Sequence, residues 1–148
     1  MNRYSSHQDG FTLVEVIVVV VIVAIFAAIA IPSYQQYVRR VQATQAQNQL
    51  QQIAMALERH KSRNFNYQGF VMPTGMAILP KGATGAAVKY NFTIVSGAGG
   101  QSWVVTAESK DSRNFSFLMS SRGLRCKNKT WTNINTTTIT CGAGHEEW

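Results

Sequence analysis

Hydrophobic and polar positions change character in successive stretches along the chain. Residues 11–31 are almost wholly apolar, and Glu15 is their one ionisable side chain. About 20 apolar residues in a helix rise roughly 30 Å, the thickness of a bilayer core. The Val and Ile content alone favours a strand, but a run of this length in lipid must satisfy its own backbone hydrogen bonds, so a helix is predicted. After Pro32 the pattern turns amphipathic. Tyr34, Tyr37, Val38 and Val41, then Leu50, Ile53, Ala54 and Leu57, recur at helical spacing among Gln, Asn and Arg. One long helix is expected to continue to about His60, closing in RHKSRNFNYQGF, where basic residues suit the C-terminal dipole and Asn and Gly break the period.

A Pro- and Gly-rich loop, MPTGMAILPKGATG, follows. Next come the alternating or β-branched runs AVKYNFTIV, SWVVTAES and NFSFLMSS, the first two joined by the hairpin signal SGAGGQ. The fold class predicted is α+β: a long N-terminal helix, membrane-spanning in its first half, packed on a small antiparallel sheet of roughly three or four strands. Trp103, Phe115 and Phe117 are expected to face the core.

The cysteines, Cys126 and Cys141, bound a polar segment, CKNKTWTNINTTTITC, that lacks the apolar content to hold itself in place. In an exported chain the natural reading is a single disulfide, contributing about 3 kcal/mol by restricting the unfolded state. Two unpaired buried thiols are the alternative, and two cysteines alone cannot make a structural zinc site. The net charge of +7 permits attraction to nucleic acid, anionic lipid or acidic glycans without choosing among them. The acids and histidines show no hydrolase dyad and no metal-binding spacing, so neither an enzyme nor a cofactor is implied.

The apolar run admits three readings. AIA at residues 28–30 fits a signal-peptide cleavage site, although a glutamate at the head of the h-region and Pro32 just after the cut do not. A plain single-pass anchor is the second; here Arg39 and Arg40 after the run outweigh Arg3 before it, which by charge counting favours the reverse orientation. The third rests on GFTLVE followed by a long apolar helix. This segment resembles the N-terminus of type IV pilins and of the pseudopilins of type II secretion. SYQQYVRR, LERHKSRNFNY and GLRC look more closely like the minor pilins of the PilE-like group.

The resemblance implies that prepilin peptidase removes residues 1–10 as a leader, cutting between Gly10 and Phe11, and that Phe11 becomes a methylated terminus. Asp9 makes this leader less basic than is usual in the family. Residues 11–31 then form the transmembrane and filament-core helix, and residues 32–148 an amphipathic helix with a globular head whose disulfide-bounded region is exposed. Glu15 takes the family's acidic position, pairing with Phe11 of a neighbouring subunit, and Pro32 its helix-bending proline. The partners implied are other pilin subunits, the peptidase and an inner-membrane assembly platform. The chain would sit in the inner membrane, head in the periplasm, before assembly and in the extracellular pilus after it.

The function expected is that of a structural subunit, a minor pilin, in a filament for twitching motility, adhesion or DNA uptake. Two alternatives stay open. Arg122, Arg125, Lys127 and Lys129 gather near Trp131, with His60, Lys61 and Arg63 at the helix end, which fits a competence pilin that binds double-stranded DNA. A pseudopilin shares the processing signature, but the head offers few carboxylates for a calcium site.

Overall fold

The computed structural model describes residues 10–148; apart from Gly10, the expected leader lies outside the described residues. One helix, α1 (Leu13–Asn64), is followed by β1 (Ile78–Leu79), β2 (Tyr90–Ser96), β3 (Trp103–Ser109), β4 (Ser116–Ser120), β5 (Arg125–Asn128) and β6 (Glu146–Glu147). The chain divides into two compact units, Met1–Val38 and Arg39–Trp148.

In the first unit, α1 opens with a cap that the apolar pattern conceals. The Thr12 hydroxyl accepts the Glu15 N–H at 3.2 Å, which is the Thr-x-x-Glu arrangement that satisfies free N–H groups at a helix start. Glu15 also stands in the first turn, where a carboxylate suits the positive end of the dipole. Pro32 lies inside α1 and removes the hydrogen bond otherwise made to the Ala28 carbonyl. Phe11 is 83% exposed, and the Val and Ile side chains of residues 16–31 are exposed with it. So continuous an apolar surface needs lipid or other helices around it. Among the described residues α1 is the one helix long and apolar enough to cross a membrane.

In the second unit, α1 buries Ala46, Gln49, Leu50, Ile53, Ala54 and Leu57, the stripe expected of an amphipathic helix. It extends one turn past His60, to Asn64. The sheet is an antiparallel meander in the order β1-β2-β3-β4-β5-β6. It exceeds the expected three or four strands because β1, β5 and β6 are short and, in β5 and β6, polar; pairing with a neighbour defines them rather than their own pattern. Alternation then sends side chains two ways. Tyr90, Phe92, Trp103, Val105, Ala107, Phe117 and Met119 meet the helix, with Phe115 packed at the margin. Val104, Leu118 and Cys126 meet Ile134 and Cys141 on the opposite face. The helix thus covers one face of the sheet and the disulfide segment the other.

The expected disulfide joins Cys126 to Cys141. Asn128, buried at the end of β5, adds a polar clasp: its Nδ2 donates to the carbonyls of Cys141 at 2.7 Å and Ala143 at 2.9 Å. The SGAGGQ hairpin carries Gly100 at φ +67°, where a Cβ would lie 2.7 Å from Gln68 Cγ, so only glycine fits. Its carbonyl accepts the Tyr67 N–H at 2.8 Å, tying the hairpin to the segment after α1.

Candidate nucleic-acid interface

β5 sets the site. Since Cys126 points to the disulfide side, its neighbours Arg125 and Lys127 must point to the helix side, and there they meet aromatic rings. The Arg125 guanidinium lies 5.6 Å from the centre of the Trp148 ring. Lys127 and Lys129 both lie over Phe115, at 4.8 and 5.2 Å. Stacking of this kind orients the cations while leaving N–H donors free. Trp148 is itself fixed: its Nε1 donates to the Cys126 carbonyl at 3.1 Å and its ring meets Phe117 edge-on.

Arg122 projects from the tight β4–β5 turn, in which the Ser120 N–H donates to the Leu124 carbonyl and Gly123 takes φ +87°. Trp131 stands apart from Arg125 and Lys127, half-buried against the cluster on the disulfide side. Of the four cations, Lys129 lines a pocket of about 360 Å³ with it, together with Ser109, Lys110 and Thr130. The sequence neighbourhood of the cations and Trp131 therefore resolves into two faces, joined at Lys129.

The helix end joins the same system through Arg59, which the sequence reading passed over. Arg59 lines a groove of about 600 Å³ with Arg125, Met55 and Trp103. It also lines a second, of about 400 Å³, with His60, Arg63 and Val71. Its spacing of four from Arg63 was the available signal, since residues so placed share a helix face. His60 itself is committed to the turn: Nε2 donates to the Gln68 carbonyl at 3.0 Å and Nδ1 accepts from Asn64 Nδ2 at 3.3 Å. Lys61 lies over Tyr67, 4.8 Å from the ring centre.

The acids are largely occupied. Glu58 Oε1 accepts from the Tyr67 hydroxyl at 2.7 Å and from Trp103 Nε1 at 3.1 Å. Burial, with Glu58 beside it, pushes the Tyr67 hydroxyl above its ordinary range. Glu108 pairs with Lys110, Asp111 with Arg113, and Glu146 with Lys127 at 3.1 Å. The Arg113 N–H holds the Asp111 carboxyl below the usual carboxylate range. Arg59, Lys61, Arg63, Arg122, Arg125 and Lys129 have no ion-pair partner among the described residues. Among those residues no cluster of His, Cys, Asp and Glu could hold a metal ion. The arrangement suits a polyanion bound by oriented, unneutralised cations.

Comparison with known proteins finds two family models that together cover residues 5–129. A family model described as "Type IV minor pilin ComP, DNA uptake sequence receptor" matches residues 32–129. A second, "Prokaryotic N-terminal methylation motif", matches residues 5–31. No curated protein and no solved structure matches the chain.

Proposed function

The chain belongs to the family of the type IV minor pilin ComP, DNA uptake sequence receptor, and on that premise we propose that its head captures double-stranded DNA for uptake. The N-terminal methylation motif and the apolar helix make it a membrane-anchored pilin that joins other pilins. In our reading, prepilin peptidase cuts between Gly10 and Phe11, and the assembly platform lifts the subunit from the inner membrane into an extracellular fibre. Glu15, beside the new terminal ammonium of a neighbour, sets the register, because an unpaired carboxylate in apolar surroundings is costly. The head then meets DNA outside the cell.

The observation that carries the DNA reading is the row of cations stacked on Trp148 and Phe115, which apart from Lys127 have no acidic partner among the described residues. Arg125 and Lys127 share the helix-side face of β5 and Lys129 lies just past its end, with Arg122 in the preceding turn and Arg59 across the groove. Cations placed so displace counterions from successive phosphates, and each contact adds about 0.9 to the slope of log affinity against log salt.

The test is binding of a fluorescent duplex to the full mature chain in detergent micelles between about 50 and 200 mM salt. Affinity should fall steeply across that range. Replacing Arg122, Arg125, Lys127 and Lys129 together by Gln should flatten the slope by about 3 to 4. No binding at the lowest salt, or an unchanged slope in the fourfold variant, would overturn the proposal.

A further inference from the structure

Phe65 and Val71 are the most exposed large apolar side chains of the second unit, at 81% and 83%. Phe65 is the more unusual. It follows α1 directly with φ 59°, the left-handed conformation that helix ends reserve for glycine and that costs a bulky residue energy. The backbone there is nevertheless pinned. The Phe65 N–H donates to the Lys61 carbonyl at 2.7 Å, and Gln101 Nε2 donates to the Phe65 carbonyl at 3.3 Å. Two residues on, Tyr67 is buried and tied through its N–H to Gly100 and through its hydroxyl to Glu58. Among the described residues the Phe65 ring joins neither apolar cluster and pairs with no other ring. An aromatic side chain is thus held rigidly outward, in a strained backbone, with nothing of its own chain to pack on.

Its surroundings say what it meets. Arg59, Lys61 and Arg63 precede it on the last turns of α1, none with an acidic partner among the described residues. The near side chains are otherwise amides: Asn64 and Gln68 are exposed beside it, and Gln101 is hydrogen-bonded to its backbone. Cations call for an anion, yet phosphate alone gives a bare ring no contact. A base step gives it a π-face. A second copy of this chain is the poorer partner, since each copy carries net charge +7. A protruding apolar residue ringed by amides and flanked by Arg and Lys is the composition that enters minor grooves, where the amides read base edges and the apolar residue opens a stack.

We propose that Phe65 is a wedge that enters the minor groove of double-stranded DNA and partly unstacks one base step. Arg59, Lys61 and Arg63 take the flanking phosphates, and Gln68, with the Oδ1 of Asn64, faces the base edges, the Asn64 Nδ2 being held by His60. The inference rests on the DNA reading above but adds a distinct consequence. The bound duplex is kinked, by roughly 20 to 90°, towards its major groove. Flexible pyrimidine–purine steps are then preferred at the kink, because they cost least to open.

The experiment uses the full mature chain in detergent and the tightest-binding duplex recovered from a randomised pool of base-paired fragments, labelled at both ends for energy transfer. Wild type should shorten the end-to-end distance, and netropsin, which fills the minor groove, should compete. Phe65→Ala should bind about tenfold more weakly, leave the duplex straight and keep the wild-type salt slope, since an apolar wedge displaces no counterion. Phe65→Gly relieves the left-handed backbone, so it should melt no lower than wild type while losing the bend; Phe65→Leu should retain part of it. Salt-dependent binding to a duplex that wild type leaves straight, or equal bending by Phe65→Gly, would overturn the wedge and leave the cationic site standing. A Phe65→Ala chain that binds and bends DNA normally but fails to join filaments would reassign the ring to a subunit contact. Recovery of no duplex at all would remove the DNA reading itself.

Discussion

Asn128 tests whether the disulfide alone holds the segment that follows β5. Asn128 is 4% exposed, and it sits between Lys127 and Lys129. Its Nδ2 donates to the Cys141 and Ala143 carbonyls, while its Oδ1 accepts the Thr130 N–H at 2.9 Å. Asn128→Asp keeps the shape and the bond from Thr130 but turns a carboxylate oxygen against two carbonyls. Two hydrogen bonds worth about 1 kcal/mol each are lost, and two acceptors are left facing a desolvated charge, so a cost of about 3 to 5 kcal/mol is expected at neutral pH. That is as large as the roughly 3 kcal/mol expected from Cys126→Ser/Cys141→Ser, which reopens the loop without touching the clasp. Burial raises the ionisation of such a carboxyl, so part of the deficit should return as pH falls from neutral towards about 4, where a protonated Asp regains one donor. The measurement is denaturant unfolding of the full chain followed by tryptophan fluorescence, with DNA affinity read beside it. Lys129 should lose its place over Phe115, and binding should weaken with stability. An Asn128→Asp chain within about 1 kcal/mol of wild type would refute the clasp, leaving the disulfide to act alone.

The remaining predictions concern assembly and pH. Glu15→Gln should be cut before Phe11 and inserted normally, yet fail to enter sheared filaments; mass spectrometry of the mature N-terminus and of the fibres checks both, and normal incorporation would remove the register argument. Because Gln also removes the carboxylate from the first turn of α1, where it suits the positive end of the dipole, helicity in micelles should fall slightly in the same variant, although the backbone bond to Thr12 is kept. Tyr90 is fully buried and its hydroxyl donates to the Phe115 carbonyl at 2.8 Å; burial pushes its ionisation well up. The folded state therefore favours the neutral phenol, so its contribution is complete below about pH 10 and is lost as pH rises above that. Tyr90→Phe should cost about 1 kcal/mol at pH 7 and show a shallower fall in melting temperature between about pH 10 and 12; an equally steep fall would place the alkaline sensitivity elsewhere.

What the chain discloses by pattern is what its own periodicity determines. The apolar run, the stripe from Ala46 to Leu57 and the alternation in β2, β3 and β4 each repeat often enough to be read without a partner. RCKN and EE do not. β5 exists because Leu118 and Phe117 pair with Cys126 and Lys127, and β6 because Glu147 and Glu146 then pair with β5. Thr12 was hidden for the opposite reason: it lies just ahead of an evident helix, and its capping role depends on a single hydrogen bond from the Glu15 N–H.

The interface follows from the same distinction. In the sequence Arg125, Cys126, Lys127, Asn128, Lys129 and Trp131 look like one cluster, because only distance along the chain is visible. Once β5 pairs with β4, alternate residues must take opposite faces. Cys126 and Asn128 turn to the disulfide side, where one forms the covalent tie and the other the clasp. Arg125 and Lys127 turn to the helix side, which brings Arg125 into a groove with Arg59, a residue 66 positions earlier. Lys129 lies just past the strand, free of the alternation, and so reaches both Phe115 and the Trp131 pocket. One short strand thereby determines which cations share a surface, and a single-residue slip in its register would bury Arg125 and Lys127 while expelling the cysteine.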